Sequence, residues 1–171
     1  MEIIIKKINK YFREWILPIG LAFVIALVFR ANIAEAMYIP SSSMEPTLKP
    51  GDIVVIEKIS RGIERGDVVV FKTPKLHNGE EYIIKRVIGL PGETLQVKNG
   101  RLLINGDKVQ ESYNKNSFKD NFGPITLAQE SYFVMGDNRN NSVDSRNIGA
   151  ISLEQINGRY IFRIPISKLN P

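Results

Sequence analysis

"EYIIKRVIGL", residues 81–90, decides the fold class. It is short, it is rich in β-branched and aromatic residues, and Pro91 and Gly92 close it, which reads as a strand ending in a turn. On a strand, successive side chains alternate between faces. Ile83, Lys85 and Val87 then share one face, and Tyr82, Ile84, Arg86 and Ile88 share the other. A lysine is thereby flanked by branched apolar groups. Two readings stay open. Lys85 is a salt-bridging strand lysine at a domain surface, or it is a desolvated amine. Desolvation lowers a lysine pKa from about 10.4 toward neutrality, where the amine can act as a base.

Similar stretches lie on both sides. "DIVVIEKI" (52–59), "DVVVFKT" (67–73), "TLQVKNGRLLINGDKV" (94–109), "SYFVMGD" (131–137) and "INGRYIFRIPI" (156–166) are Val/Ile-rich and punctuated by Gly, Pro or Asn. Two Asn-Gly pairs, in "KNGR" and "INGD", are strong hairpin signals. "ESYNKNSFKDNFG" (111–123) and "GDNRNNSVDSRNIG" (136–149) are polar and read as loops, and "SLEQI" (152–156) can make one helical turn. The expectation is a mostly β protein: a compact antiparallel β domain over 37–171 with a small accessory region around 94–130.

The N-terminal segment is of another kind. Residues 1–14 carry Lys6, Lys7, Lys10 and Arg13, and "WILPIGLAFVIALVF" (15–29) follows without a charge. Fifteen residues rise about 22 Å as a helix, short of a hydrocarbon core of about 30 Å. Three readings compete: a membrane anchor over 15–36, a cleaved signal peptide ending at Ala34-Glu35-Ala36, and a buried core helix. The anchor is the leading one. Basic residues before the apolar run favour a cytoplasmic N-terminus (1–14), with the β domain outside the cytoplasm.

Composition narrows the chemistry. The 171 residues are 43% hydrophobic with a formal charge of +5 and no cysteine. That is one ordinary domain with a real core. Disulfides and thiolate chemistry are excluded, and the modest mixed charge does not argue for nucleic acid. There is no G-x-S-x-G, H-E-x-x-H or Walker loop. His77 is the only histidine and sits in a polar, turn-like stretch. A Ser-His-Asp triad would have to use it, and one histidine without cysteine supports a metal site poorly. "PSSSMEPTLKPGD" (40–52) is either a proline-stiffened turn or a nucleophile loop. In an extended segment Ser41 and Ser43 point the same way and Ser42 points away.

"PSSSMEPTL" (40–48), "RGDVVVFK" (65–72), "YIIKRVIGLPGE" (82–93) and "GDNRNNSVDSR" (136–146) occur in the order found in type I signal peptidases. The chain resembles a compact, single-anchor member of that family over the anchor and nearly all of the outer domain. The resemblance implies a membrane-bound serine endopeptidase that cuts exported precursors after small-x-small sites, without cofactor or metal. By it, Ser43 is the nucleophile and Lys85 the general base. Ser41 joins the Ser43 backbone N–H in the oxyanion hole, and Ser142 orients the lysine amine. Asp144 and Arg146 form a buried pair that braces the loop, and Asp137 belongs to the same turn. Ser42 has no chemical role. Pocket walls are Met37, Ile39, Pro40, Met44, Leu48, Val70, Ile83 and Ile84, with Met44 also near lipid. The implied partners are signal-peptide-bearing precursors, the phospholipid cell membrane and a nearby secretion translocon, not nucleic acid. The short span between Lys85 and Asp137 leaves room only for a small second β region. Two rivals differ in class or setting: a soluble self-cleaving repressor-type protease, and a non-catalytic anchored β domain that binds peptides or the cell envelope.

Overall fold

The computed structural model describes residues 7, 10–32, 34–58, 62–73, 82–113 and 119–165. His77 lies outside them. The chain divides into two compact units, one ending at Glu35 and one beginning at Ala36.

The first unit holds a π-helical turn, Phe12–Ile16, and an α-helix, Leu17–Asn32. The wide turn has a local cause: Leu17 N–H donates to Phe12 O, five residues back, and Pro18 beside it has no N–H to give. Trp15, Leu17, Ile19, Leu21, Phe23 and Ile25 are all more than half exposed. The 16-residue helix rises about 24 Å. Among the described residues no helix is long and apolar enough to cross a membrane. The segment expected as anchor through residue 36 is helical only to Asn32, and Ala34–Tyr38 is already strand β1.

The second unit contains two sheets. In chain order the remaining strands are β2 (Ile53–Glu57), β3 (Val68–Lys72), β4 (Tyr82–Gly89), β5 (Thr94–Lys98), β6 (Arg101–Ile104), β7 (Asp107–Lys108), β8 (Phe122–Thr126), β9 (Ser131–Met135), β10 (Ile151–Ser152) and β11 (Ile156–Ile164). The larger sheet has the order β1-β2-β11-β3-β4-β9-β10, and the smaller one β7-β6-β5-β8. From β2 to β10, and throughout the smaller sheet, neighbours run antiparallel.

The strand β4 lies between β3 and β9, with Lys85 opposite Val69 and Ile84 opposite Val70. Its neighbours on both sides bury it except at Tyr82 and Arg86. Ile83 and Val87, flanking Lys85, join a core with Val69, Phe71 and Val134. Ile84 joins another with Met44, Leu48, Val54 and Val70. Each fully buried Val, Leu or Phe stabilises by about 1.5–3 kcal/mol, which is what holds a buried amine on this strand.

Both Asn-Gly pairs make hairpins. Asn99 and Gly100, and Asn105 and Gly106, all have positive φ, the geometry that links β5 to β6 and β6 to β7. Two elements differ from expectation. β8 begins at the last two residues of the stretch 111–123 expected as loop and runs on to Thr126. Phe122 packs on Phe133 with ring centroids 5.2 Å apart, and Pro124 is tolerated because β8 is an edge strand. Residues 145–148 form a short helix within the second expected loop. Asp144 caps it by accepting from Arg146 N–H, and Asn147 reaches back to the Asp144 N–H.

Candidate active site

The serine stretch is a turn pinned from below. Glu45 N–H donates to Ser42 O at 3.1 Å and Leu48 N–H to Met44 O at 2.9 Å. Met44 and Leu48 are fully buried in the core beside Ile84 and Val70, so the turn cannot slide. The same turn leaves Ser43 at the floor of a cleft. Lys85 arrives from β4. Its Nζ lies 2.7 Å from Ser43 Oγ and donates to Ile84 O at 2.9 Å. The lysine is 3% exposed and the serine 8%. Ser41 Oγ is 3.3 Å from Ser43 Oγ. Ser42 points elsewhere, and its Oγ accepts from Asn141 Nδ2 at 3.0 Å.

The loop after β9 closes over this pair. Asn138 N–H donates to Ser43 O at 3.0 Å, and its Nδ2 donates to Ser42 O at 3.2 Å. Gly136 is pressed against the serine turn: a Cβ there would lie 2.2 Å from Ser142 Oγ and 2.5 Å from Ser43 O. Ser142 Oγ is buried and makes no hydrogen bond among the described residues, so the implied Ser142–Lys85 bond is absent. The amine instead turns to Ser43 and to the Ile84 carbonyl.

Buried ion pairs hold the loop's shape. Asp137 accepts from both Nε and Nη2 of Arg86, at 2.8 and 2.6 Å, and from the Thr47 hydroxyl. Asp144, fully buried, accepts from Gly136 N–H at 3.0 Å and from Arg146 Nε at 2.8 Å. Arg146 also reaches Asp120 and Arg139 O. Burial pulls the Arg146 guanidinium down, but the Asp144 and Asp120 carboxylates outweigh it and hold it above its ordinary value. Such pairs give geometry more than stability, because desolvation offsets much of their attraction.

The cleft has a volume of about 460 Å³. Met37, Ile39, Pro40, Val70, Ile83 and Ile84 line it, together with Ser41, Ser43, Lys85 and Ser142. Met44 and Leu48, expected as walls, do not line it. They are core residues, and the full burial of Met44 keeps it from solvent or lipid. Tyr38, Tyr82, Asn140, Asn141 and Val143 also line the cleft and were not expected there. Arg86, Thr47 and Asn138 were likewise missed. Arg86 stood next to Lys85 in "KR", but nothing local names Asp137 as its partner. No group of three or more His, Cys, Asp or Glu that could hold a metal occurs among the described residues.

A serine hydroxyl in contact with a buried amine lies at the floor of a cleft of mixed polar and apolar lining, an arrangement that suits a serine peptidase. The model of the family described as signal peptidase, peptidase S26, matches residues 12–165. The chain belongs to this family, and its activity is signal-peptide removal. Signal peptidase I of Leptolyngbya laminosa is 45% identical over 168 residues, covering 91% of this chain and 81% of that protein. Signal peptidase I S of Bacillus subtilis (strain 168) is 39% identical and covers 90% of each. The crystal structure of a signal peptidase I from Enterococcus faecalis V583 aligns with a TM-score of 0.50 and 29% identity, over 58% of this chain and 97% of that one.

Proposed function

We propose that the chain is a membrane-bound endopeptidase using Ser43 as nucleophile and Lys85 as general base, cutting precursors after small-x-small sites. The 2.7 Å contact between the two buried groups carries the reading. Neutral Lys85 takes the Ser43 proton as Oγ bonds to the substrate carbonyl carbon. The negative charge that develops on the carbonyl oxygen is met by the Ser43 N–H and by the Ser41 hydroxyl after a rotation. One good donor is worth about 3 kcal/mol in such a site. The C–N bond breaks, and the Lys85 ammonium gives its proton to the leaving amine. Water then attacks the ester with Lys85 again as base, and Ser43 regains its proton. A rotation of Ser142 toward Nζ would orient the amine without adding a carboxylate, whose charge would raise the lysine pKa. Asp137, Asp144 and Arg146 support that loop.

Specificity for small side chains follows from the walls. Ile39, Val70, Ile83 and Ile84 are all buried, so the cleft floor has little room to yield to bulk. The apolar side chains exposed along Trp15–Ile25 support attachment of residues 15–36 to the cell membrane. The basic start places residues 1–14 in the cytoplasm, and the catalytic domain over 37–171 works outside it, near the secretion translocon. The test is incubation of the purified full chain with a precursor carrying an Ala-x-Ala site, followed by N-terminal mass analysis of the product. The expected product begins immediately after the second alanine. A product beginning elsewhere contradicts the specificity, and equal processing by Ser43→Ala contradicts the nucleophile.

A further inference from the structure

Four side chains form one cluster, in which Arg86 is already the partner of Asp137, and Glu111 and Tyr113 have no role so far. Glu111 and Tyr113 come from the segment that leaves the smaller sheet after β7. Arg86 follows Lys85 on β4, and Arg139 lies in the loop that carries Ser142. Arg139 Nη1 donates to Glu111 Oε2 at 3.0 Å, and its Nη2 donates to Glu111 Oε1. Arg139 Nε donates to Gly136 O at 3.0 Å. The Arg139 side chain is fully buried and that of Glu111 nearly so. A guanidinium in that setting depends on its partner to stay where it is. Tyr113 OH donates to Glu111 Oε1 at 3.0 Å. Its ring faces both arginines, with Cζ of Arg86 4.2 Å and Cζ of Arg139 6.0 Å from the ring centroid. Burial, then the Glu111 carboxylate, pushes the phenol above its usual range, so it stays a donor.

The two arginines come from different elements. Arg86 ties the strand of Lys85 to Asp137, and Arg139 grips the carbonyl of Gly136, the residue packed against Ser142 and Ser43 O. We propose that Glu111 and Tyr113 are positioning residues for the reaction: the segment leaving the smaller sheet clamps Arg86 and Arg139, fixing the Lys85 strand against the Gly136–Ser142 loop. The proposal rests on the serine–lysine reading and gives the smaller sheet a task in turnover.

Single-turnover cleavage of a precursor, with enzyme in excess, separates this from plain packing. The amplitude counts competent molecules and the rate constant reports the chemistry. Tyr113→Phe keeps the ring and should stay within about threefold of the parent rate constant. Tyr113→Leu and Glu111→Gln should each lower it about tenfold or more, at unchanged half-saturating enzyme concentration, because small misplacements of reacting groups are costly. Ser142→Ala should also cost less in the Tyr113→Leu background than in the parent, since the loop is already released. If Tyr113→Leu folds poorly, Glu111→Gln carries the same readout with its shape retained. Lower amplitude or melting temperature at an unchanged rate constant in both variants would overturn the clamp. Parent-level cleavage by Ser43→Ala would overturn the serine–lysine reading beneath it, whatever the clamp variants do.

Discussion

Ser41 and Ser42 are adjacent and chemically alike, yet their surroundings differ. Ser41 Oγ faces the nucleophile at 3.3 Å, whereas Ser42 Oγ accepts from the exposed Asn141. Ser41→Ala should lower kcat by about 10²–10³ with little change in KM, the loss expected for one oxyanion donor. Ser42→Ala should cost no more than about threefold, because an exposed hydrogen bond has little net worth. Equal effects of the two substitutions would contradict the assignment. The contacts of Ser41 and Ser42 differ as expected, but the premise of an extended segment does not hold, because the stretch bends at Ser42 and turns over 43–47. The lysine was only half legible. Periodicity placed Ile83 and Val87 beside it but left a surface salt bridge open. Burial by β3 and β9 decides between the readings, and strand neighbours are not written locally. Met44 and Leu48 were misplaced for the same reason. An apolar residue beside a cleft and one beneath it look identical in sequence.

At the scale of elements, the loop from Gly136 to Arg146 does most of the positioning. Its polar composition was plain, but its partners were not: Arg86, Thr47, Glu111 and Asp120 all come from distant parts of the chain. Gly136 shows how tightly the loop seats. Its φ is not in the left-handed region, so only close approach demands glycine there. Gly136→Ala should force the loop off Ser43 O and cut turnover at least about tenfold, given the cost of small misplacements. Comparison of kcat with the near-ultraviolet circular dichroism of the folded variant checks this. A folded Gly136→Ala enzyme with parent kcat would contradict it. The Val/Ile-rich strands and the Asn-Gly hairpins were legible because each signal is local. β8 was not, because Gly123 and Pro124 interrupt its local strand pattern, and its support comes from Phe133, Leu95 and an open sheet edge.

At the scale of the whole molecule, the proposed membrane attachment rests on the N-terminal unit. The apolar side chains of Trp15–Ile25 are exposed, and no β-unit function explains them. The full chain should therefore sediment with membranes, resist high-salt extraction and be released by detergent. Release by salt alone would contradict attachment through residues 15–36. Ala34-Glu35-Ala36 has the form of a processing site but lies in β1, and a strand must leave its sheet before another active site can take it. Membrane preparations should thus contain the intact chain, with slow clipping after Ala36 between molecules only at high detergent-solubilised concentration. Co-expression of Ser43→Ala with an active copy, followed by N-terminal mass analysis, checks this. A membrane form beginning at Met37 would make residues 1–36 a processed signal.

The central claim is that one buried amine does the work a histidine does elsewhere, and the pH dependence of single-turnover cleavage tests it most directly. A neutral lysine must accept the proton, so the rate falls as pH drops through its midpoint. The mechanism requires that midpoint to lie below the ordinary lysine value of about 10.4. The account predicts such a profile for the parent, the same profile for His77→Ala, and no turnover for folded Lys85→Ala or for Lys85→Arg, whose guanidinium stays protonated. A profile that follows an ordinary histidine and vanishes in His77→Ala, or measurable cleavage by Lys85→Ala, would contradict it.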